Sequence, residues 1–142
     1  IGIARRMLDM TVEYTKDRHQ FGSPIGSFQA IKHKLADVAI KLEFAKPPVY
    51  RASHSLLFKH PRAGLHVSHA KIASCEAANL SAKHAMQAHG AMGYTWEYDL
   101  HIFVKRALVL SGLGGDFGFH KARILDSLLS GNSQLGSTAT FL

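Results

Sequence analysis

Apolar residues recur every three or four positions through most of this 142-residue chain, and few glycines or prolines interrupt them. Ile31, Leu35, Val38 and Leu42 show the pattern, because this spacing places all four side chains on one face of an α-helix. No alternation of polar and apolar residues, which would indicate a β-strand, persists for more than a few residues. The chain is therefore predicted to be all-α, an antiparallel four-helix bundle with a short extra C-terminal helix.

Glycine and proline set the predicted boundaries of these helices. The pattern predicts helices over residues 1–19, 27–58, 62–89, 97–110 and 119–129. Ser27 is expected to be the N-cap of the second helix. The Pro47–Pro48 pair is expected to kink or break that helix, because proline lacks a backbone donor and clashes with the preceding turn. Residues 1–130 form the predicted bundle, and the polar residues 131–142 form a flexible tail.

Composition restricts the class of protein. Hydrophobic residues make up 46% of the chain, but no segment approaches the roughly 20 apolar residues of a membrane span, so no membrane partner is expected. The single cysteine, Cys75, is interpreted as a small core residue and fits a cytoplasmic protein. The formal charge of +7 is scattered, without a basic run interleaved with aromatic residues, and this argues against nucleic acid as a partner.

Three glycine-marked junctions between the predicted helices are candidate sites. The first, RHQFG at 18–22 with SFQ at 27–29, combines an arginine suited to a phosphate with phenylalanines that can cover a flat ring. The second, QAHGAMGY at 87–94, exposes backbone amides that can bind a pyrophosphate, and its glutamine can bind a purine edge or a phosphate. The third, LGGD at 113–116, is a tight loop before the last helix.

Each junction also has a purely structural interpretation. Arg18 then caps carbonyls at a helix end, and Phe21 and Phe28 belong to the core. The second junction is then an ordinary helix stop and turn, and Asp116 is the N-cap of the last helix. A short motif taken alone favours these structural interpretations.

Metal and hydrolytic chemistry receive little support from the sequence. His66 and His69 share a helix face with Glu76 two turns on, but there is no HExxH or ExxH pair to complete a site, so surface histidines are expected instead. No GxSxG segment frames a serine nucleophile. We therefore expect no metal site.

The first two junctions, in this order and spacing, resemble segments of the acyl-CoA dehydrogenase family. RHQFGSPIGSFQAIKHKLAD (Arg18–Asp37) is similar to the family's RxxFGxxIxxFQ stretch, and QAHGAMGYTWEYDL (Gln87–Leu100) is similar to its QxxGGxGY stretch. The resemblance runs from Ile1 to about Leu129 and implies the C-terminal helical domain of such an enzyme. It is strongest to actinobacterial members, some of which pair two unlike subunits.

The resemblance implies a site for FAD, which this domain contacts in the neighbouring subunit. Arg18 and Gln20 would meet the diphosphate, with Phe21 beside them. Phe28 and Gln29 would line the same cofactor. Residues 87–91 would approach its adenosine diphosphate end. Ala91 stands where the family often has glycine. The cofactor-binding candidates are Arg18, Gln20, Phe21, Phe28, Gln29, Gln87, Ala88, His89, Gly90, Ala91 and Asp116.

The family's reaction is the α,β-dehydrogenation of an acyl-CoA thioester, in which a glutamate removes the α-proton. In many members that glutamate follows the GY pair, and the corresponding residue here is Gly114, which cannot accept a proton. Three explanations stay open: a base upstream of Ile1, a base on an unlike partner subunit, or lost activity. Asp116 is too short and displaced by two residues, so no catalytic residue is assigned.

The sequence therefore predicts the FAD-binding and oligomerisation domain of an acyl-CoA dehydrogenase, and the resemblance to members with unlike subunits implies bulky substrates such as sterol side chains. The expected partners are an acyl-CoA, a second copy or a related subunit, and electron-transfer flavoprotein or another electron acceptor. One alternative is a non-catalytic helical dimerisation scaffold that has lost flavin chemistry. The other is an acyl-CoA oxidase, which shares the fold but reoxidises its flavin with oxygen.

Overall fold

The computed structural model describes residues 1–130, so the predicted tail lies outside the described residues. An all-α bundle with a short extra C-terminal helix is confirmed. Between the first two helices lie β1 (His19–Gln20), β2 (Ser23–Pro24) and a 3₁₀ turn at Ile25–Ser27, and a second 3₁₀ segment spans Gly90–Tyr94. The helices are α1 (Gly2–Asp17), α2 (Gln29–Leu57), α3 (Ala63–His89), α4 (Leu100–Gly112) and α5 (Phe117–Leu129).

The central helix is α3, which contacts α1, α2, α4 and α5. Its core-facing side chains are small, as the alanine-rich sequence predicts, and Ala70, Ala77, Ala82 and Ala85 are buried. Small side chains let a neighbouring backbone approach closely. Accordingly, Ser81 Oγ of α3 donates a 2.9 Å hydrogen bond directly to the backbone oxygen of Ala4 in α1.

Larger apolar side chains from the surrounding helices fill the space against α3. One cluster gathers around Met7 of α1 and Leu100 of α4, and a second around Val38 and Leu42 of α2. Ala78 of α3 packs against both clusters. Burial of one such large side chain contributes about 1.5–3 kcal/mol, so these clusters hold the outer helices in place.

Two local predictions about α2 differ from the structure. The helix does not break at Pro47 and Pro48, because residues on both sides of the pair, including Ala45 and Ala52, are buried in the core and hold it together. Ser27 is not the N-cap, since Phe28 occupies that position. The Ser27 hydroxyl instead donates to the Pro24 carbonyl at 2.7 Å and closes the 3₁₀ turn.

His66 lies in the core, only 6% exposed, and not on the surface as predicted. Its Nδ1 is 2.7 Å from Ser55 Oγ, a hydrogen bond that ties α3 to α2 and accounts for the burial of a polar ring. Burial, with the nearby Arg51, lowers the pKa of His66 below its ordinary value. His69 is exposed, as expected, and Glu76 forms an ion pair with Lys41.

Within residues 1–130, no group of three or more His, Cys, Asp or Glu side chains is arranged to hold a metal ion. In the same range no helix has both the length and the apolar character needed to cross a membrane.

The Lys71 ammonium closes the C-terminal end of α4. It donates to the backbone oxygen of Leu110 and, at 2.8 Å, to that of Leu113. The last carbonyls of a helix have no partner within the helix, so a lysine from α3 satisfies them here and holds the start of the next loop.

The buried His66 predicts a loss of stability at acidic pH. Its pKa in the folded protein is lowered, so the unfolded chain binds more protons as the pH falls through about 6.5, the ordinary histidine value. The contribution of His66 to the free energy of unfolding is therefore complete above that pH and declines below it. Thermal unfolding of the full-length protein at several pH values checks this. His66→Asn, which keeps a partner for Ser55 but cannot titrate, should flatten the decline; an identical decline would contradict the assignment.

Replacing Lys71 by methionine should destabilise the α4–α5 junction. The variant keeps the apolar stem but leaves the Leu110 and Leu113 carbonyls without this donor, a loss of about 1–3 kcal/mol. Hydrogen exchange of the α4 C-terminal peptides in the full-length protein measures it. Lys83→Met, on the same helix and at the same cavity, is the matched control and should exchange like the wild type. Equal exchange in both variants would show that Lys71 does not cap α4.

Candidate functional site

A short β-hairpin replaces the plain loop expected between α1 and α2. Its two turn residues, Phe21 and Gly22, have positive φ angles of 53° and 78°, the combination found in turns whose twist suits a hairpin. Pro24 is accommodated because an edge strand does not need every backbone donor. A 2.8 Å hydrogen bond from Ile25 N to the Arg18 carbonyl ties the hairpin back to the end of α1. Arg18 is thereby held in a fixed place.

The end of α3 is the second element of the site. The helix ends at His89, as predicted, and Gly90 follows with a φ of 58° that favours glycine. The Gly90 N–H donates to the Met86 carbonyl, and the chain then turns through the 3₁₀ segment. The Gln87–Ala91 motif therefore lies at a helix stop.

An aromatic stack joins these two elements. The rings of Tyr14 in α1 and His89 in α3 lie 4.2 Å apart between centroids and are nearly parallel, and Tyr98 contacts His89 at 4.8 Å. Arg18 follows Tyr14 by one helical turn, and Gln87 precedes His89 by two residues. The stack therefore brings the two sequence motifs together.

A cavity of about 290 Å³ lies between the two motifs. Seven of the predicted residues line it: Arg18, Gln20, Gln87, Ala88, His89, Gly90 and Ala91. Tyr14, Ile25 and Met92 complete the lining and were not predicted. All three had a usable signal in the sequence: Tyr14 lies one turn before Arg18, and Ile25 and Met92 lie inside the two motifs.

The lining of this cavity is positively charged. It contains the Arg18 guanidinium and no carboxylate. Arg18, Gln20 and Gln87 are exposed, and Arg18 forms no ion pair within the part of the chain that the structure describes. An anionic ligand with several acceptor oxygens suits such a lining.

His89 adds a neutral acceptor beside that charge. It is 3% exposed, and its Nδ1 lies 2.8 Å from the Ala85 carbonyl, so Nδ1 carries the proton and Nε2 is the acceptor. Burial lowers the pKa of His89, although the bond to Ala85 opposes this, and so favours the neutral ring. Nε2 is buried and has no hydrogen-bond partner among residues 1–130. A group that meets it has to be a donor.

The structure does not bring every candidate into this cavity. Phe21, 93% exposed at the hairpin tip, and Phe28 form an edge-on pair with centroids 6.3 Å apart, outside the cavity lining. Both are exposed, so their interpretation as core residues is wrong. Gln29 begins α2 and is exposed.

Asp116 lies apart from the other candidates. Its carboxylate accepts a 2.8 Å hydrogen bond from Phe119 N, which confirms the structural interpretation that it is the N-cap of α5. It lines a different cavity, of about 780 Å³, formed between α2, α3, α4 and α5. Gly114 beside it adopts a φ of 74° in open space.

Comparison with known families and curated proteins agrees with the resemblance in the sequence. The family "Acyl-CoA dehydrogenase, C-terminal domain" matches residues 1–129. Acyl-CoA dehydrogenase IpdE2 of Mycobacterium tuberculosis is 42% identical over 107 residues, which cover 75% of this chain and 32% of IpdE2. Subunit CarC of the caffeyl-CoA reductase–Etf complex of Acetobacterium woodii is 44% identical over 98 residues, 69% of this chain and 26% of CarC.

Solved structures show the same fold. Glutaryl-coenzyme A dehydrogenase with glutaryl-CoA superposes with a TM-score of 0.83 at 34% identity, over 91% of this chain and 33% of that one. The ChsE4–ChsE5 complex of Mycobacterium tuberculosis superposes with a TM-score of 0.82 at 31% identity, over 90% of this chain and 35% of that one. The FAD complex of PigA superposes with a TM-score of 0.80 at 28% identity, over 88% of this chain and 32% of that one.

The chain thus spans about a third of the length of IpdE2 and of these solved structures. The family match covers nearly all of the described residues, from the first helix to the last. The chain belongs to the acyl-CoA dehydrogenase family, as its C-terminal domain.

Proposed function

We propose that residues 1–130 are the FAD-binding and subunit-pairing domain of an acyl-CoA dehydrogenase that catalyses α,β-dehydrogenation of an acyl-CoA thioester. The observation that supports this most directly is the cavity in which Arg18 and Gln20 meet the Gln87–Ala91 segment. Two motifs distant in sequence converge there, around a lining that suits a nucleotide diphosphate.

The lining fits FAD group by group. The Arg18 guanidinium suits the diphosphate, and no carboxylate in the lining repels it. The amides of Gln20 and Gln87 offer both donors and acceptors. His89, whose Nε2 is buried without a hydrogen-bond partner among residues 1–130, contributes to the wall of the cavity. When bound, FAD supplies the hydride acceptor of the reaction.

The cavity lies at the small end of the range for ligand pockets, and we interpret it as the site of one part of the cofactor. Ligand pockets usually enclose about 300–1,000 Å³, and this one is about 290 Å³. Phe21 adopts a left-handed backbone conformation, which a bulky residue rarely takes, and presents almost its whole side chain to solvent. We interpret the Phe21–Phe28 pair as a surface that covers the flavin or the subunit that holds it.

An apolar stripe on α2 supports subunit pairing. Ile40 and Phe44 are both exposed, and their spacing of four residues places them on one face. Exposed apolar patches of this kind mark interfaces. The proposed assembly is a homodimer or homotetramer, or a hetero-oligomer with a related subunit, as in the ChsE4–ChsE5 complex.

The proposed electron acceptor is electron-transfer flavoprotein or a similar carrier, by analogy with the Etf complex that contains CarC. The proposed location is the cytoplasm, on the evidence of a single free cysteine.

The catalytic base is proposed to lie outside this chain, upstream or on a partner subunit. Gly114 occupies the position where the family's glutamate is expected, and the Asp116 carboxylate is occupied as the N-cap of α5. Gly114 at that position also favours one rival function, a non-catalytic scaffold that only pairs subunits.

Alanine at Arg18 or Gln87 should reduce the flavin content of the purified full-length protein. Loss of a charge-assisted hydrogen bond to the diphosphate should weaken FAD binding about tenfold or more for Arg18→Ala, and less for Gln87→Ala. Absorbance of bound flavin per protein measures this. The control is Arg5→Ala, an arginine of α1 that is paired with Asp9. Full flavin content in both cavity variants, with intact oligomers, would favour the scaffold.

Anaerobic addition of the correct acyl-CoA to the full-length protein, purified with any partner subunit, should bleach the flavin absorbance. A panel of acyl-CoAs that includes sterol-derived chains identifies the substrate. Bleaching despite Gly114 would establish dehydrogenation with a base outside this chain, and peroxide release in air would mark an oxidase. Bound flavin that no acyl-CoA bleaches would count against the proposed reaction.

A further inference from the structure

The loop that joins α4 to α5, Leu113–Asp116, borders a large cavity. This cavity of about 780 Å³ is lined by Gly112, Asp116 and Phe117 on the side of the loop, and by α2 and α3 opposite. Asp116 is the residue of the loop that lines the cavity, so the position of the loop determines where Asp116 lies in its wall. Gly114 and Gly115 have φ angles of 74° and 109°, so the backbone itself does not favour a single conformation there.

The His120 ring lies directly against Gly115. A Cβ atom placed on Gly115 would be 3.0 Å from His120 Nε2 and 2.5 Å from a ring carbon of Phe119. Both distances are shorter than ordinary contacts, so only glycine fits, and Nε2 faces the Gly115 Cα from the core side. His120 is 4% exposed, and its Nε2 has no hydrogen-bond partner in the part of the chain that the structure describes.

The His120 ring is held by α3. Its Nδ1 lies 3.0 Å from Ser68 Oγ, and Ser68 is completely buried. The Ser68 hydroxyl donates its own proton to the Gly64 carbonyl at 3.2 Å, so it accepts from His120 Nδ1–H. The imidazole is thus fixed in orientation, with its Nε2 lone pair towards Gly115. A chain of contacts runs from α3 through Ser68 and His120 to the loop.

The same face of α3 holds the other end of the loop. Lys71, three residues after Ser68 and so beside it on the helix, donates to the Leu113 carbonyl. Ser68 acts through His120 on Gly115, and Lys71 acts directly on Leu113. The loop therefore rests on two adjacent side chains of the central helix.

We propose that His120 is a positioning residue, which, anchored by Ser68, supports Gly115 and fixes the loop Leu113–Asp116, and with it the place of Asp116 in the wall of the large cavity. It touches no reacting atom and acts through the loop. In the proposed acyl-CoA dehydrogenase, and resting on that proposed function, the loop that contains Gly114 faces the acyl-CoA, so His120 affects how well substrate binds.

The test measures the loop directly in the full-length protein. His120→Ala removes both the anchor and the support, and Ser68→Ala removes the anchor with little change of volume. Each variant should raise hydrogen exchange of the 113–116 amides, and alkylation of Cys75 in the same cavity, by about tenfold, as expected for loss of a buried hydrogen bond. The double variant should not exceed either single one, because the two residues act in series.

Three comparisons separate positioning from general destabilisation. His120→Asn, whose amide can still donate to Ser68, should restore part of the wild-type exchange. His69→Ala, an exposed histidine next to Ser68 in sequence, is the matched control and should change nothing. Hydrogen exchange of the α1 and α2 peptides should stay at wild-type rates in every variant. A rise in exchange throughout the protein would overturn the proposal. So would wild-type exchange of the loop in both His120→Ala and Ser68→Ala.

Acyl-CoA titration of the flavin distinguishes this proposal from the proposed function. If the wild type is bleached, His120→Ala should need a higher acyl-CoA concentration at unchanged flavin content, whereas an unchanged titration would refute the link to substrate. If the wild type is not bleached by any acyl-CoA, the proposed function fails, but loop exchange and Cys75 alkylation still decide whether His120 positions the loop.

Discussion

The close packing of four helices around α3 is the constraint on which the described structure depends. Alanine and serine cover the central helix, so the hydrogen bond from Ser81 to the Ala4 backbone is short enough to form. A larger residue at these positions would push α1 away from α3. The relative placement of the α1 and α3 ends, and with it the candidate cofactor cavity, follows from this packing.

Polar contacts then convert the packing into a specific arrangement. Two buried serine–histidine hydrogen bonds, Ser55 with His66 and Ser68 with His120, tie α2 and α5 to α3. The Tyr14–His89 stack does the same for the end of α1. Apolar contacts alone allow helices to slide or rotate, whereas these directional contacts fix register. The candidate site and the glycine loop each lie next to one of them.

Much of this arrangement is predictable from sequence, for identifiable reasons. The long helices follow from apolar periodicity, the stop at Gly90 from the need for a left-handed residue, and the N-cap at Asp116 from its place before α5. The Arg18 and Gln87 motifs were linked by resemblance to a family, and the cavity now lies between them. The failures have tertiary causes: core packing on both sides of Pro47–Pro48 holds α2 together, and Ser55 allows His66 to be buried.

The continuity of α2 through its two prolines has a consequence for docking. Without N–H groups at Pro47 and Pro48, the backbone carbonyls of Glu43 and Phe44, one turn earlier, lack their intrahelical donors. Phe44 belongs to the exposed apolar stripe. A surface that covers this stripe must therefore bring hydrogen-bond donors to those two oxygens or leave water trapped there. An entirely apolar surface would desolvate both oxygens without replacing their hydrogen bonds, which costs binding free energy. The two prolines thus favour a partner surface that combines apolar side chains with hydrogen-bond donors over one that is only apolar.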